Sequence, residues 1–243
     1  MPDSAVIIKL NKARVLYILL AVVVLLVILS IYGQYIRYFP RDIDVRGPWH
    51  EMVIDTLNKS FFLDNEGNIP TYFNALLLFI PSILLAVIAA WKNVVRDKFR
   101  VHWTALSFIF LLLSVDEAAV LHEQIIKPIR AISEAGGVLY FGWVIPGVVV
   151  VILFLIVYLM FFLHLDRKFK ILFFISLGLY ISGVLGGEMV SGYFAERLGQ
   201  KNFTYAIVAS LEESVEMIGA SLIIYSLLEY IQQYMPEGLR LKV

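Results

Sequence analysis

Apolar residues gather in six long blocks, at about 15–37, 70–91, 103–123, 138–163, 170–194 and 203–230, with polar stretches between them. A helix rises 1.5 Å per residue, so about 20 apolar residues are enough to cross the hydrocarbon core of a bilayer. Every block reaches that length. The pattern predicts an all-α polytopic membrane protein: a single transmembrane domain over 1–243, with six helices in one bundle and both termini on the same side. No period of 20–50 residues and no low-complexity tract interrupts it. Pro81 and Pro146 fall inside the second and fourth blocks, where a lost backbone donor predicts a bend. The first block follows Lys9, Lys12 and Arg14 as the core of a signal peptide would. It is longer than such cores and ends in YGQYIRYF without a small-x-small cleavage site, which predicts an uncleaved span.

The longest connection, 38–69, contains GPWHEMVIDTLNKSFFLDNEGNIP. Within it, 49–59 is expected to form a short interfacial helix that lays Trp49, Met52, Val53, Ile54 and Leu57 on the membrane surface, or else to act as a lid.

Composition agrees with the pattern. Hydrophobic residues make up 60% of the chain and charged residues only 16%, and the mean hydropathy of +0.81 lies far from that of soluble domains. Basic residues cluster before the first block (Lys9, Lys12, Arg14), between the second and third (Lys92, Arg96, Lys98, Arg100) and between the fourth and fifth (Arg167, Lys168, Lys170). The positive-inside rule makes those segments, and therefore both termini, cytoplasmic. The expected location is a cell membrane crossed several times, with a bacterial inner membrane as the setting and the lipid bilayer as the first partner. With a net charge of zero and no run of Lys or Arg, nucleic acid is excluded as a partner. The absence of cysteine excludes disulfides and thiolate metal sites, so any metal would take oxygen and nitrogen ligands.

Acidic residues inside the blocks are the feature that membrane insertion does not explain. Following the helices in and out of the bilayer puts Asp116, Glu117, His122 and Glu123 of the third block, Glu188 of the fifth, and Glu212, Glu213 and Glu216 of the sixth in one layer below the outer face. Asp64 and Glu66 stand just outside the second block. At about 100° per residue, Asp116 and Glu123 share a helix face, and Glu212, Glu213 and Glu216 lie within about 100° of one another. Tyr205, Ala209, Gly219 and Ala220 extend that stripe, and Gly183, Gly187 and Ser191 form a small-residue face beside Glu188. The third, fifth and sixth blocks are thus expected to pack around a polar centre that the second block closes.

An ionised acid in the membrane costs about 2.5–3.5 kcal/mol on insertion scales. Several in one volume must be protonated, paired with bases or neutralised by cations. Lys127, Arg130, Arg197 and Lys201 are the bases at hand, with Glu123 and Glu196 free to be solvated. A single His in the layer argues against a zinc hydrolase site. Carboxylate-rich ligation suits Mg, Ca or Mn or, with the imidazole, Fe. No Glu-x-x-His occurs, so the di-iron bundle pattern is not met. DNEGN at 64–68 lacks the Gly and the Glu of a calcium loop.

The leading expectation is a divalent metal held by Asp116, His122, Glu123, Glu188, Glu212 and Glu216, with Glu117 or Glu213 as general base, in a membrane enzyme acting on a lipid-like or periplasmic substrate. The alternatives are a cation- or proton-coupled transporter and an accessory subunit whose acids pair with a partner's bases. A homo-oligomer or a larger membrane complex stays open.

Overall fold

A computed structural model of the chain describes residues 11–40, 48–124, 129 and 136–235. Among the described residues all regular structure is helical. In order these are α1 (Lys12–Tyr38), α2 (Pro48–Phe61), α3 (Ile69–Val94), α4 (Arg100–Ala119), the one-turn α5 (Leu121–Gln124), a 3-10 turn (Gly137–Leu139), α6 (Val144–His164), α7 (Arg167–Ile181), a π turn (Ser182–Gly187), α8 (Glu188–Leu198) and α9 (Phe203–Tyr234). Among the described residues five helices are long and apolar enough to cross a membrane: α1, α3, α4, α6 and the continuous rod Arg167–Leu198 formed by α7, the π turn and α8. α9 spans 32 residues but spaces its apolar positions with Glu212, Glu213, Glu216 and Glu229.

The helix starts follow local chemistry. Asn11, Asn68 and Asn202 cap α1, α3 and α9, each side chain accepting the backbone N–H three residues on (3.1, 3.1 and 2.9 Å). Two expected boundaries shift. The third block does not run to 123: α4 stops at Ala119 because Val120 adopts a left-handed conformation (φ 54°), unusual for a β-branched residue. His122 is thereby taken off the α4 register and folded back towards Asp116. The fourth block becomes helical at Val144 instead of 138, after Gly137 with φ 62°. Pro146 therefore lies in the first turn, where its missing N–H costs nothing, and the predicted bend has no cause there. Pro81 lies inside an unbroken α3.

α9 is the central helix, packed on α1, α3 and the α7–α8 rod, while α4 packs chiefly on α3. The expectation that α3 merely closes the polar centre is thus corrected: α3 stands between α4 and α9. Two hydroxyls of α4 donate to α3 carbonyls, Ser107 to Ser82 and Ser114 to Ala75 (both 2.8 Å). At the end where α1 starts and α9 finishes, Trp103, Phe161, Phe169, Phe173 and Tyr230 form an aromatic core. Glu229 of α9 there pairs with Lys12 of α1 and with Lys168 of α7.

At the other end α2 lies against α1. Gln34 donates to Asn58 (2.8 Å), and a Cβ on Gly33 would touch Leu57. Trp49, Met52 and Val53 face outwards. The helix expected at 49–59 is therefore present, with Leu57 turned to α1.

Candidate functional site

Asp116 and Glu117 of α4, Glu188 of α8 and Glu212, Glu213 and Glu216 of α9 lie at the end of the bundle away from Glu229, and small residues let the helices carrying them approach. A Cβ on Gly183 would stand 2.7 Å from the backbone N of Glu216, and one on Gly187 would stand 2.6 Å from Cγ of Glu212. Only glycine at these two positions allows the π turn to lie directly on α9. A π turn adds a residue to the helical circuit, and here it brings both glycines to the α9 side with Glu188 immediately following. Beyond it Ser191 is buried and donates to the Glu188 carbonyl (3.2 Å). Tyr205, Ala209, Gly219 and Ala220, the stripe expected beside the glutamates, are all buried.

Three hydrogen-bonded groups result. In the first, Asn74 of α3 donates from Nδ2 to Glu216 Oε1 (2.9 Å) and Glu117 Oε1 (3.2 Å), joining α9 to α4. Asn74 is 1% exposed, and its Oδ1 is buried without a hydrogen-bond partner. In the second, His122 Nδ1 lies 3.0 Å from Asp116 Oδ2, with its imidazole against the Trp143 ring. In the third, Glu188 accepts from Trp143 Nε1 (3.0 Å) and meets the carboxyl of Glu212. Asp64, from the loop after α2, accepts from the Tyr205 hydroxyl (3.0 Å) and ties that loop over α9. Glu213 lies within electrostatic reach of Glu216, Glu117, Glu212 and Asp64. Charge interactions thus link the groups even where hydrogen bonds do not.

This arrangement divides the ligand set expected from sequence. Among the described residues no three acid or imidazole side chains stand close enough to hold one metal together. The physical reason is the break at Val120 and the interposition of α3: Asp116 is engaged by His122, Glu188 by Trp143 and Glu212, and Glu216 by Asn74. The side chain of Glu123 lies outside the described residues, as do Lys127 and Arg130. Among the described residues no Lys or Arg forms an ion pair with Glu117, Glu212, Glu213 or Glu216, and the Arg197 guanidinium instead sits over the Tyr193 ring, 4.3 Å from its centroid.

Sequence reasoning missed Asn74 and Trp143. Asn74 had a signal: it is the sole carboxamide in the second apolar block, one turn inside its start. Trp143 had none, because its block was read as helical from 138 and an interfacial Trp needs no special role.

No curated protein and no solved structure matches the chain. The profile of one family covers residues 15–230, and the chain belongs to that family, described as a domain of unknown function, DUF8692.

Proposed function

We propose that the chain is a six-span membrane protein with both termini in the cytoplasm, that Glu117, Asn74 and Glu216 hold a divalent cation below the outer face, and that it is a metal-dependent membrane enzyme acting on a lipid-like or periplasmic substrate. The observation that carries the reading is the Asn74 carboxamide, whose Nδ2 bridges carboxylates from two different helices while its buried Oδ1 has no hydrogen-bond partner. A half-turn of the amide exchanges its NH2 for this oxygen and offers a cation two carboxylates and a carbonyl, the oxygen donors that Mg, Ca or Mn prefer. A buried carbonyl left unbonded costs about 1–3 kcal/mol; coordination to a cation satisfies that oxygen and neutralises the acids, while the turned NH2 gives up its two carboxylate acceptors.

The other groups have roles suited to such an ion. Asp116 holds the imidazole of His122 beside Glu117, as an acid–base pair that moves a proton to or from a substrate. Glu213, adjacent to both ligands in charge, is the general base. α9 as the sixth span is supported by its length and by its packing along α1, α3 and α7. The cytoplasmic placement of the termini is supported by Lys92, Arg96, Lys98, Arg100, Arg167, Lys168 and Lys170, all at the end of the bundle opposite the acids. A transporter would need polar groups continuing inwards. Ser176, Ser221 and Ser226 instead donate to carbonyls of their own helices, which favours the enzyme.

Elemental analysis of the detergent-purified protein tests the reading: about one divalent ion per chain is expected, lost in Glu216→Gln. Metal-free protein that is folded and monodisperse would sink it. Because the chain has no cysteine, single cysteines placed in the 95–99 and 199–202 turns report sidedness without background. Labelling of the first from the cytoplasm and of the second from outside is the expected pattern.

A further inference from the structure

A cavity of about 210 Å³ opens where the end of α3, the α3–α4 turn, the α6–α7 turn and the end of α9 come together. Tyr230 on its wall follows Glu216 by 14 residues of one helix, about 21 Å along the axis, so the cavity is separate from the bridge of Glu117, Asn74 and Glu216. It is smaller than the sites that hold drug-sized ligands. One compact group fits it.

Five rings line the space: Phe99, Trp103, Phe161, Tyr230 and Tyr234. Their contacts with one another are tilted or edge-on, at 46° for Trp103 on Tyr230, 48° for Tyr230 on Tyr234, 75° for Phe99 on Phe161 and 83° for Trp103 on Phe161. None of these pairs stacks. The face of an aromatic ring is its negative side, and the Lys92 ammonium already stands 5.8 Å from the centroid of Tyr230. This wall accepts cations.

The polar groups leave two needs unmet. Lys92 is paired with Asp97 (2.6 Å), whose other oxygen accepts the Phe99 N–H (2.7 Å), so that pair is neutral and closed. Asp166, on the rim, accepts the Tyr234 hydroxyl, and among the described residues no Lys, Arg or His, the neighbouring His164 included, forms an ion pair with it. Tyr230 is 3% exposed, and among the described residues its hydroxyl makes no hydrogen bond. A buried hydroxyl without a partner is a cost that a ligand can remove. The cavity therefore lacks a positive charge for Asp166 and a polar atom for Tyr230.

The kind of cation follows from the acceptors. A primary ammonium has three N–H donors to place, while both oxygens of Asp97 and one of Asp166 are already engaged. A methylated ammonium has no donors to satisfy and lies directly on ring faces. We propose that the cavity binds a choline-like group, its methylated ammonium among the rings beside Asp166 and its oxygen at the Tyr230 hydroxyl. A free small molecule and a lipid head group share this chemistry.

Saturation-transfer NMR on the full chain in a maltoside detergent tests the proposal, with choline, its neutral carbon isostere 3,3-dimethylbutanol, and tetramethylammonium as probes. Choline should bind saturably and the isostere at least about tenfold more weakly. Asp166→Asn should weaken choline about fivefold. Tyr230→Phe removes only the hydroxyl, so it should unfold no lower than wild type, weaken choline about threefold and leave tetramethylammonium unchanged. Displacement of choline by dihexanoylphosphatidylcholine below its micellar concentration would support the site and assign it to a lipid head group; choline binding without such displacement would support it and assign it to the free molecule. Equal binding of choline and the isostere would overturn the proposal, as would unchanged choline affinity in folded Asp166→Asn or tighter binding of inorganic phosphate than of choline. Should Asp166→Asn fall in unfolding temperature, the choline and tetramethylammonium affinities of Tyr230→Phe decide: both unchanged would overturn the site.

Discussion

Two glycines three residues apart should respond with opposite sign to the same substitution. Gly183→Ala places a methyl 2.7 Å from the Glu216 backbone N and 2.8 Å from its Cα. Ordinary contact begins near 3.4 Å, so the π turn and α9 must separate by at least about 0.7 Å, and backbone cannot rotate out of the way as a side chain does. Overpacking of this kind costs about 1–3 kcal/mol. Alanine regains up to about 1 kcal/mol of helix propensity, which at the full gain leaves a net loss of up to about 2 kcal/mol. Gly186→Ala meets nothing within 4 Å, so it should be neutral or gain up to about 1 kcal/mol. In a chain of this size each kcal/mol moves the midpoint by about 2–4 °C. Thermal unfolding of the two variants in one detergent, followed by tryptophan fluorescence, should show Gly183→Ala several degrees below wild type and Gly186→Ala at or above it. If both fall equally, or if Gly183→Ala is silent, the close approach of the π turn to α9 is wrong.

Other perturbations reach other parts of the molecule. Asn74→Leu removes two hydrogen bonds to carboxyl groups, a loss of roughly 3–6 kcal/mol at 1.5–3 each; Asn74→Asp should also destabilise the metal-free protein but recover stability on adding Mn or Ca, read by thermal shift with and without chelator. Glu229→Gln weakens a side chain shared by Lys12 and Lys168 and should lower the midpoint by the equivalent of about 1–3 kcal/mol, an effect absent from the already half-exposed Lys168→Met. In the turn between α3 and α4, burial works to raise the pKa of Asp97, but the Lys92 hydrogen bond, the Phe99 N–H and the charges of Lys92 and His164 outweigh it and hold the carboxyl below its usual value. A depressed carboxylate contributes stability above its unfolded pKa and loses it as pH falls through the folded one. Asp97→Asn should therefore lower the midpoint at pH 7, and the two curves should converge as the pH is brought below about 4.

Much of the helical architecture was legible because blocks of about 20 apolar residues read as helices long enough to cross a membrane, and among the described residues five helices have that length and composition. The small-residue face of the fifth block was equally readable, since Gly183, Gly187 and Ser191 at four-residue spacing leave one purpose for it. What could not be read was which neighbour each acid meets. Helical phase continues only while the helix does, and nothing about Val120 in the sequence announces a left-handed residue that takes His122 off the α4 register and brings it to Asp116. Nor does phase along single helices reveal their lateral order. That α3 comes between α4 and α9, and so replaces a carboxylate cluster with an acid–amide–acid bridge, is a property of packing. The glycines are of the same kind: Gly178 and Gly186 look in sequence like Gly183 and Gly187, and only their neighbours distinguish open space from a contact.

The central claim, a cation held between Glu117, Asn74 and Glu216, is tested most directly by adding Mn2+ to the chelator-stripped, folded protein and following the free-ion signal by electron paramagnetic resonance. The six-line spectrum of hydrated Mn2+ should stay suppressed until about one equivalent has been added to wild type, and should rise from the first addition in Glu216→Gln. A free-ion spectrum rising from the first addition in wild type as well would contradict the claim.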